Sequence, residues 1–309
     1  MRLSITIPVL NEEQVLPELL RRVGAVLDTI PGGPHELLLV DDGSTDRTRE
    51  MLLAASEMDP RVRAIFLSRN FGHQAAITAG LDHVTGDLII AMDGDLQDQP
   101  EDIPGFIAAQ EEGYDVVYAV RTMRKEGIFL RACYYLFYRL MTRFSHIKVP
   151  PDAGDFALIT RRVLTAMKSA PERNRYLRGL RAWAGFRQRP FPVERAERAG
   201  GQSKYSYKAL IRLALDGLFA FSTIPIRAAM FLGACGVGVA VLYSLWAVFA
   251  KVVLNQSPQG FTAIILVVTF LSGMNLFFMG VIGEYVGRVY EEVKARPMYV
   301  VERIVGSGS

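Results

Sequence analysis

The chain has 309 residues, half of them hydrophobic, and a net charge of only +3. So small a charge gives no electrostatic footprint for nucleic acid, and the apolar share, with a positive mean hydropathy, is high for a wholly soluble protein. Cys133 and Cys235 have no metal or redox spacing, and the scattered His35, His73, His83 and His146 argue against a zinc site.

The first apolar run, Leu3 to Leu10, contains Pro8 and is followed by Asn11, Glu12 and Glu13. It is too short for the core of a signal peptide and reads as a strand. From Met1 to about Val120, short β-rich runs alternate with helical stretches. Strands are predicted at Leu3–Val9, Glu36–Val40, Val62–Leu67, Asp87–Met92 and Asp115–Val120. Between the first two, Val15, Leu19, Leu20, Val23, Val26 and Leu27 recur at helical spacing. This alternation predicts an α/β fold with a mostly parallel sheet covered by helices, which binds ligands beyond the carboxyl ends of its strands.

Three acidic loops fall at those ends: Pro8-Val9-Leu10-Asn11-Glu12, Asp41-Asp42-Gly43-Ser44-Thr45-Asp46 and Asp93-Gly94-Asp95-Leu96-Gln97. Each alone fits an ordinary turn or helix cap. As a set, like charges converging on one cleft require a cation or a donor-rich ligand. Asp93, Asp95 and the Gln97 amide form a hard oxygen set suited to Mg²⁺ or Mn²⁺. The loop does not fit an EF-hand, which needs Gly at its sixth position and Glu at its twelfth; counting from Asp93 these are Asp98 and Pro104. No Gly-x-Gly turn follows the first strand and no Walker A sequence is present, which excludes nicotinamide-dinucleotide and P-loop sites.

Further along, Ile128–Phe144 and Tyr205–Phe221 mix aliphatic and aromatic residues with Arg131, Arg139, Arg143, Lys208 and Arg212. Both fit helices lying in the headgroup region, the first equally well an amphipathic core helix. Residues 228–250 and 252–283 carry no charged side chain. Since about 20 helical residues cross a bilayer, two transmembrane helices are predicted, near 226–251 and 261–286. Lys251 is alone in their loop, whereas Arg212, Arg227, Arg288, Lys294 and Arg296 flank the other ends, so both termini are expected in the cytoplasm. The expected organisation is a cytoplasmic catalytic domain over 1–204, an interfacial helix over 205–223, a membrane hairpin over 224–287 and a cytoplasmic tail over 288–309. Gly233, Gly236, Gly273 and Gly280 allow close helix packing, within one chain or in a homo-oligomer.

The order Pro8…Asn11-Glu12, Asp41-Asp42-Gly43-Ser44-Thr45-Asp46, Arg69-Asn70-Phe71-Gly72 and Asp93-Gly94-Asp95-Leu96-Gln97 resembles glycosyltransferase family 2. It is similar in particular to the polyprenyl-phosphate glycosyltransferases, which include dolichol-phosphate mannose synthases and bactoprenol glucosyltransferases. The likeness continues through Asp152-Ala153-Gly154-Asp155-Phe156, Arg178…Arg181-Ala182-Trp183, Gly201-Gln202-Ser203-Lys204-Tyr205 and the terminal hairpin. The resemblance implies a GT-A fold and inverting transfer of one hexose from a nucleotide diphosphate sugar to a polyprenyl phosphate, undecaprenyl or dolichyl, at the inner or plasma membrane. UDP-glucose is the first expectation for the donor and GDP-mannose the second.

Matched motif by motif, Pro8, Asn11, Glu12, Asp41 and Asp42 would cradle base and ribose, and Asp93, Asp95 and Gln97 would hold the metal against the diphosphate. Arg121 and Lys204 would meet the donor phosphates. Arg124, Arg131 and Arg198 are candidates for the lipid phosphate. Asp155 matches the family's proposed base, with Asp152 its neighbour. The processive branch has Gln-x-x-Arg-Trp where this chain has Gly179-Leu180-Arg181-Ala182-Trp183, which fits single transfers. Two rival readings are a transferase acting on another membrane glycan or protein, and a catalytically silent membrane scaffold.

Overall fold

The computed structural model describes residues 1–121, 153–170, 177–194, 224–253 and 260–306. Arg124, Arg131, Asp152, Arg198 and Lys204, and the two expected interfacial helices, lie outside the described residues. The chain divides into two compact units, one holding residues 224–253 and 260–296 and the other holding the remaining described residues.

The larger unit begins with alternating strands and helices: β1 (Leu3–Val9), α1 (Leu16–Thr29), β2 (Glu36–Asp41), α2 (Thr48–Met58), β3 (Val62–Leu67), α3 (His73–His83), β4 (Leu88–Ala91), α4 (Ile103–Glu111) and β5 (Val116–Arg121). Then come β6 (Ala153–Thr160), α5 (Arg161–Ser169), α6 (Leu177–Trp183) and β7 (Gln188–Val193). The final strand, β8 (Val301–Val305), follows the second unit. The sheet order is β7-β5-β6-β4-β1-β2-β3-β8. Strands β4, β1, β2 and β3 are mutually parallel, as are β5 and β7, while β6 and β8 run antiparallel to their neighbours. The expected mostly parallel α/β sheet is therefore present.

Alternation along the strands makes two cores. Ile5, Ile7, Leu37 and Leu39 pack with Leu19 and Val23 of α1, Leu52 of α2 and Phe106 of α4; Leu38, Val40 and Ile65 pack with Ile77 of α3, Val163 of α5 and Leu180 of α6. The order of the strands reverses beside β1, since β2 lies on one side of it and β4 on the other, all three running parallel. At such a switch point the loops after β1, β2 and β4 diverge and leave a crevice beyond the carboxyl ends.

Residues 288–306, expected within a tail, supply the last turns of a helix of the smaller unit and then β8. That strand pairs antiparallel with β3, and the Ser68 amide donates to the Val300 carbonyl at 3.0 Å. The β3 edge would otherwise carry unpaired backbone groups, which β8 satisfies. In the smaller unit, α7 (Ile224–Val253) and α8 (Phe261–Val293) expose most of their large apolar side chains, including Phe231, Leu242, Trp246, Phe270, Leu276 and Phe277. Among the described residues one helical segment, Phe270–Val293, is long and apolar enough to cross a membrane, and the apolar stretch Phe231–Ala247 of α7 is shorter. Of the four glycines singled out for packing, Gly236 lies against Met274 of α8; a Cβ at Gly233, Gly273 or Gly280 would meet nothing within 4 Å.

Candidate active site

The loops after β1 and β2 are stitched together by short polar side chains. Asn11, at φ 56°, donates its backbone N–H to Ser44 Oγ at 2.9 Å and accepts from the Thr45 amide through Oδ1 at 2.8 Å. The Glu12 amide donates to Thr48 Oγ1 at 2.9 Å, and the Glu13 amide to Asp46 Oδ2 at 3.2 Å. Between them Gly43, at φ 80°, turns so tightly that a Cβ would stand 2.7 Å from the backbone of Arg69 and Asn70, so both the conformation and the space require glycine.

Asp41 and Asp42 of that loop face inward. Asp41 is fully buried and takes the Ser44 amide on Oδ1 at 3.1 Å, while Arg49 Nε stands 3.4 Å from Oδ2. Burial pushes its carboxyl above the ordinary value, against the opposing pull of Ser44 and Arg49. Asp42 uses both oxygens on the loop after β3, accepting from the Phe71 amide at 2.7 Å and the Gly72 amide at 2.9 Å. This fixes the start of α3, whose first residue, His73, reaches Asp93: Nε2 lies 3.3 Å from Oδ1. His73 thus belongs to the rim. Its position directly after Gly72, at the carboxyl end of the β3 connection, was the available signal.

Asp93 opens the loop after β4. Gly94 presses against the end of β1, where a Cβ would stand 3.0 Å from the Pro8 carbonyl, and Leu96 adopts φ 57°. Asp95 Oδ1 accepts from the Gln97 amide at 3.1 Å, and Asp93, Asp95 and Gln97 are all half-buried. Among the described residues no three His, Cys, Asp or Glu side chains converge as a closed metal cage. Two carboxylates and one amide fit a hard cation that keeps other positions for water and phosphate.

Strand β6 runs against β4, so its beginning reaches the rim where β4 ends. The pairing Ala91 with Ala157 sets the register; extended by two places, it puts Asp155 opposite Asp93. Both line one cleft, with Asp98, Gly154 and Arg178. Arg178 of α6 holds Asp155 with two hydrogen bonds, Nε to Oδ1 at 2.8 Å and Nη2 to Oδ2 at 2.7 Å. Burial resists ionisation of this carboxyl, but Arg178, with His73 and Arg181, outweighs it and holds the group below the usual carboxylate range. Arg181 is buried, donates to the Gly154 carbonyl at 3.3 Å and lies over the Tyr118 ring. Arg121 ends β5, its backbone paired with Val193 of β7. Trp183 is half exposed. The structure therefore brings Asp93, Asp155 and Arg178 to one cleft and Asn11, Asp41 and Asp42 to an adjoining hydrogen-bonded network. Asp98 was available as the next residue of the loop after β4, whereas the pairing of Arg178 with Asp155 was not legible from spacing, because it depends on the reversed direction of β6.

Comparison with known proteins agrees with this geometry. The pattern of Glycosyl transferase family 2 matches residues 4–167. An uncharacterized glycosyltransferase of Bacillus subtilis (strain 168) is 43% identical over 304 residues, covering 98% of this chain and 94% of its own. A prophage bactoprenol glucosyl transferase homolog of Escherichia coli (strain K12) is 36% identical over 305 residues, covering 98% and 99%. An undecaprenyl-phosphate 4-deoxy-4-formamido-L-arabinose transferase of Klebsiella pneumoniae is 38% identical over 308 residues, covering 98% and 94%. With its acidic strand-end loops on a GT-A type sheet and relatives matched along nearly the whole length of both chains, this protein belongs to glycosyltransferase family 2.

Proposed function

We propose that this glycosyltransferase moves one hexose from a nucleotide diphosphate sugar to a polyprenyl phosphate at the cytoplasmic face of a membrane, with inversion and with a divalent metal. The observation that carries the reading is the placement of Asp155, clamped by Arg178, across one cleft from Asp93. In this reading a donor-side carboxylate and a cation for an acceptor phosphate share one cleft. The relatives named as bactoprenol and undecaprenyl-phosphate transferases support the lipid acceptor. The apolar exposure of α7 and α8 supports a two-helix membrane anchor that keeps the enzyme where the lipid phosphate lies.

Asp93, Asp95 and Gln97 would hold Mg²⁺ or Mn²⁺, which supplies charge stabilisation to the departing diphosphate. The Asn11, Glu12, Asp41 and Asp42 loops, with Pro8 beneath, would form the nucleotide cradle. An acceptor phosphate oxygen bonds to the anomeric carbon as the bond from that carbon to the diphosphate oxygen breaks, and the electron pair leaves with the nucleoside diphosphate. A phosphate monoester, with a second pKa of about 6, is already largely ionised at neutral pH. Asp155 therefore orients Arg178, the cation that meets the acceptor, and sets a negative charge near the electron-poor sugar carbon. It is a weak proton acceptor because Arg178 occupies both its oxygens. Arg121, Arg124, Arg131, Arg198 and Lys204 are further phosphate partners in this reading, and UDP-glucose is the first donor to try, before GDP-mannose.

The test uses the full chain in detergent with undecaprenyl phosphate, Mn²⁺ and a panel of UDP- and GDP-sugars. Nucleoside diphosphate release and a lipid-linked sugar are expected together, and both should stop with chelator. Release only with a protein or glycan acceptor would assign the first rival activity, and no release with any donor would favour a silent scaffold.

A further inference from the structure

Arg49 lies outside the acidic loops and the family motifs. It is the second residue of α2, and its guanidinium joins two carboxylates that are far apart in the chain. Nε stands 3.4 Å from Oδ2 of the fully buried Asp41, and Nη2 donates to Glu302 Oε2 at 2.7 Å. The guanidinium lies over the Phe66 ring, 5.1 Å from its centre, beside the place where the β3–β8 register shifts. Glu302 belongs to β8, which Tyr299 also fastens by donating its hydroxyl to Asp82 at 3.0 Å. On the other side of Asp41 the connection continues through Ser44 to the backbone of Asn11.

From this chain of contacts we infer that Arg49 and Glu302 are positioning residues for the donor nucleotide. The strand that follows the membrane helices thereby completes the donor site by holding Arg49 against Asp41. The inference rests on the reading that the Asn11 and Asp41–Asp42 loops take the nucleotide.

The two contacts differ in weight. Glu302 is half exposed, and an ion pair in water contributes little. Asp41 is shut away from water, so the cation facing it acts in a low dielectric, and its removal leaves a buried carboxylate without its counter-charge. Asp41 Oδ2 has no hydrogen bond among the described residues, so Arg49 is its main electrostatic support there. Loss of Arg49 should let Asp41 relax, and Ser44 and Asn11 with it, which loosens the cradle without touching the reacting atoms.

The experiment measures UDP and GDP dissociation constants with Mn²⁺ by calorimetry on the full-length protein in detergent, alongside donor KM and kcat. Arg49→Gln is expected to raise the dissociation constant of the preferred nucleotide and the donor KM about tenfold, with kcat within about twofold. Arg49→Lys should recover part of that loss, since it restores charge but not the two-pronged geometry. Glu302→Gln should raise both constants about twofold to threefold and add nothing in the Arg49→Gln background. Should Arg49→Gln fail to fold, the Glu302→Gln and Arg49→Lys constants decide. Wild type and variants binding nucleotide equally well overturns the inference while the donor-site reading stands. A wild-type protein that binds neither UDP nor GDP overturns both.

Discussion

Strand β2 carries a buried carboxylate at each end, and the two ends of the sheet treat them differently. At the amino end, Glu36 accepts from Ser4 Oγ at 2.5 Å, from the Thr85 amide and hydroxyl at 3.0 Å each, and from Arg63. Burial resists its ionisation, but these donors together hold its carboxyl below the usual range. At the carboxyl end Asp41 is just as buried, and there burial prevails over its fewer donors and pushes the carboxyl up. A saturated carboxylate is a clasp; an undersupplied one marks a place where the fold still requires positive charge or donors. The floor of the sheet saturates its buried carboxylate, and the rim, where the proposed donor site lies, does not.

The largest test of that division lies at the rim. Asp95→Asn is expected to lower kcat roughly a thousandfold, about 4 kcal/mol of transition-state stabilisation, with no fall in thermal midpoint. Nucleoside diphosphate release and a melting curve on the same sample measure both quantities. A fall in stability matching the loss of rate would erase the distinction between rim and floor. The mirror experiment is Glu36→Gln, which leaves Arg63 without its buried partner. It should cost about 3 kcal/mol in a denaturant titration while kcat of the folded fraction stays within about twofold.

Between these extremes stands the Asp155–Arg178 pair, which has a clasp's geometry and a site's location. Arg178→Gln is expected to raise KM for polyprenyl phosphate roughly thirtyfold, as removal of a charge-assisted contact worth about 2 kcal/mol requires, with donor KM little changed. Destabilisation with both KM values intact would reassign the pair to the class of Glu36.

Much of this division was legible in the sequence, for reasons that differ by element. Strands β1 to β5 declared themselves because each is a short apolar run bounded by turn residues, and the acidic loops because parallel topology fixes where strand ends gather. The observed β2 ends at Asp41 and β4 spans Leu88–Ala91, within a residue of the expected bounds. Spacing could not show which way a carboxylate faces: Asp41 and Asp42 look like an exposed turn in sequence, yet both are buried and bind their own loops. Nor could it show β8. Tyr299-Val300-Val301-Glu302-Arg303-Ile304-Val305 is short and mixed, and its reason for being a strand is the open edge of β3, more than two hundred residues earlier. Asp155 came from motif likeness alone, since only the reversal of β6 explains why a residue at the start of a strand sits with residues at the ends of others.

That reversal also sets the smallest and most discriminating expectation, which concerns pH. The Asp155 carboxyl titrates lower in the folded chain than the ordinary value of about 3.9, because Arg178, His73 and Arg181 outweigh the effect of burial. Its folded form therefore binds fewer protons than the unfolded chain in the acid range. The stability it contributes is complete above about pH 5 and is lost as pH falls through the folded-state value. The gap between wild type and Asp155→Asn in a urea titration should stay constant from neutral pH down to about 5 and narrow below about pH 4. The same depressed value leaves Asp155 ionised throughout the working range, so the acid limb of the rate profile belongs to the acceptor phosphate, near its second pKa of about 6. Asp155→Asn should lower the height of that profile without moving its acid limb. A limb displaced by the substitution would make Asp155 the proton acceptor, and Arg178 would then be the group that tunes it for that task.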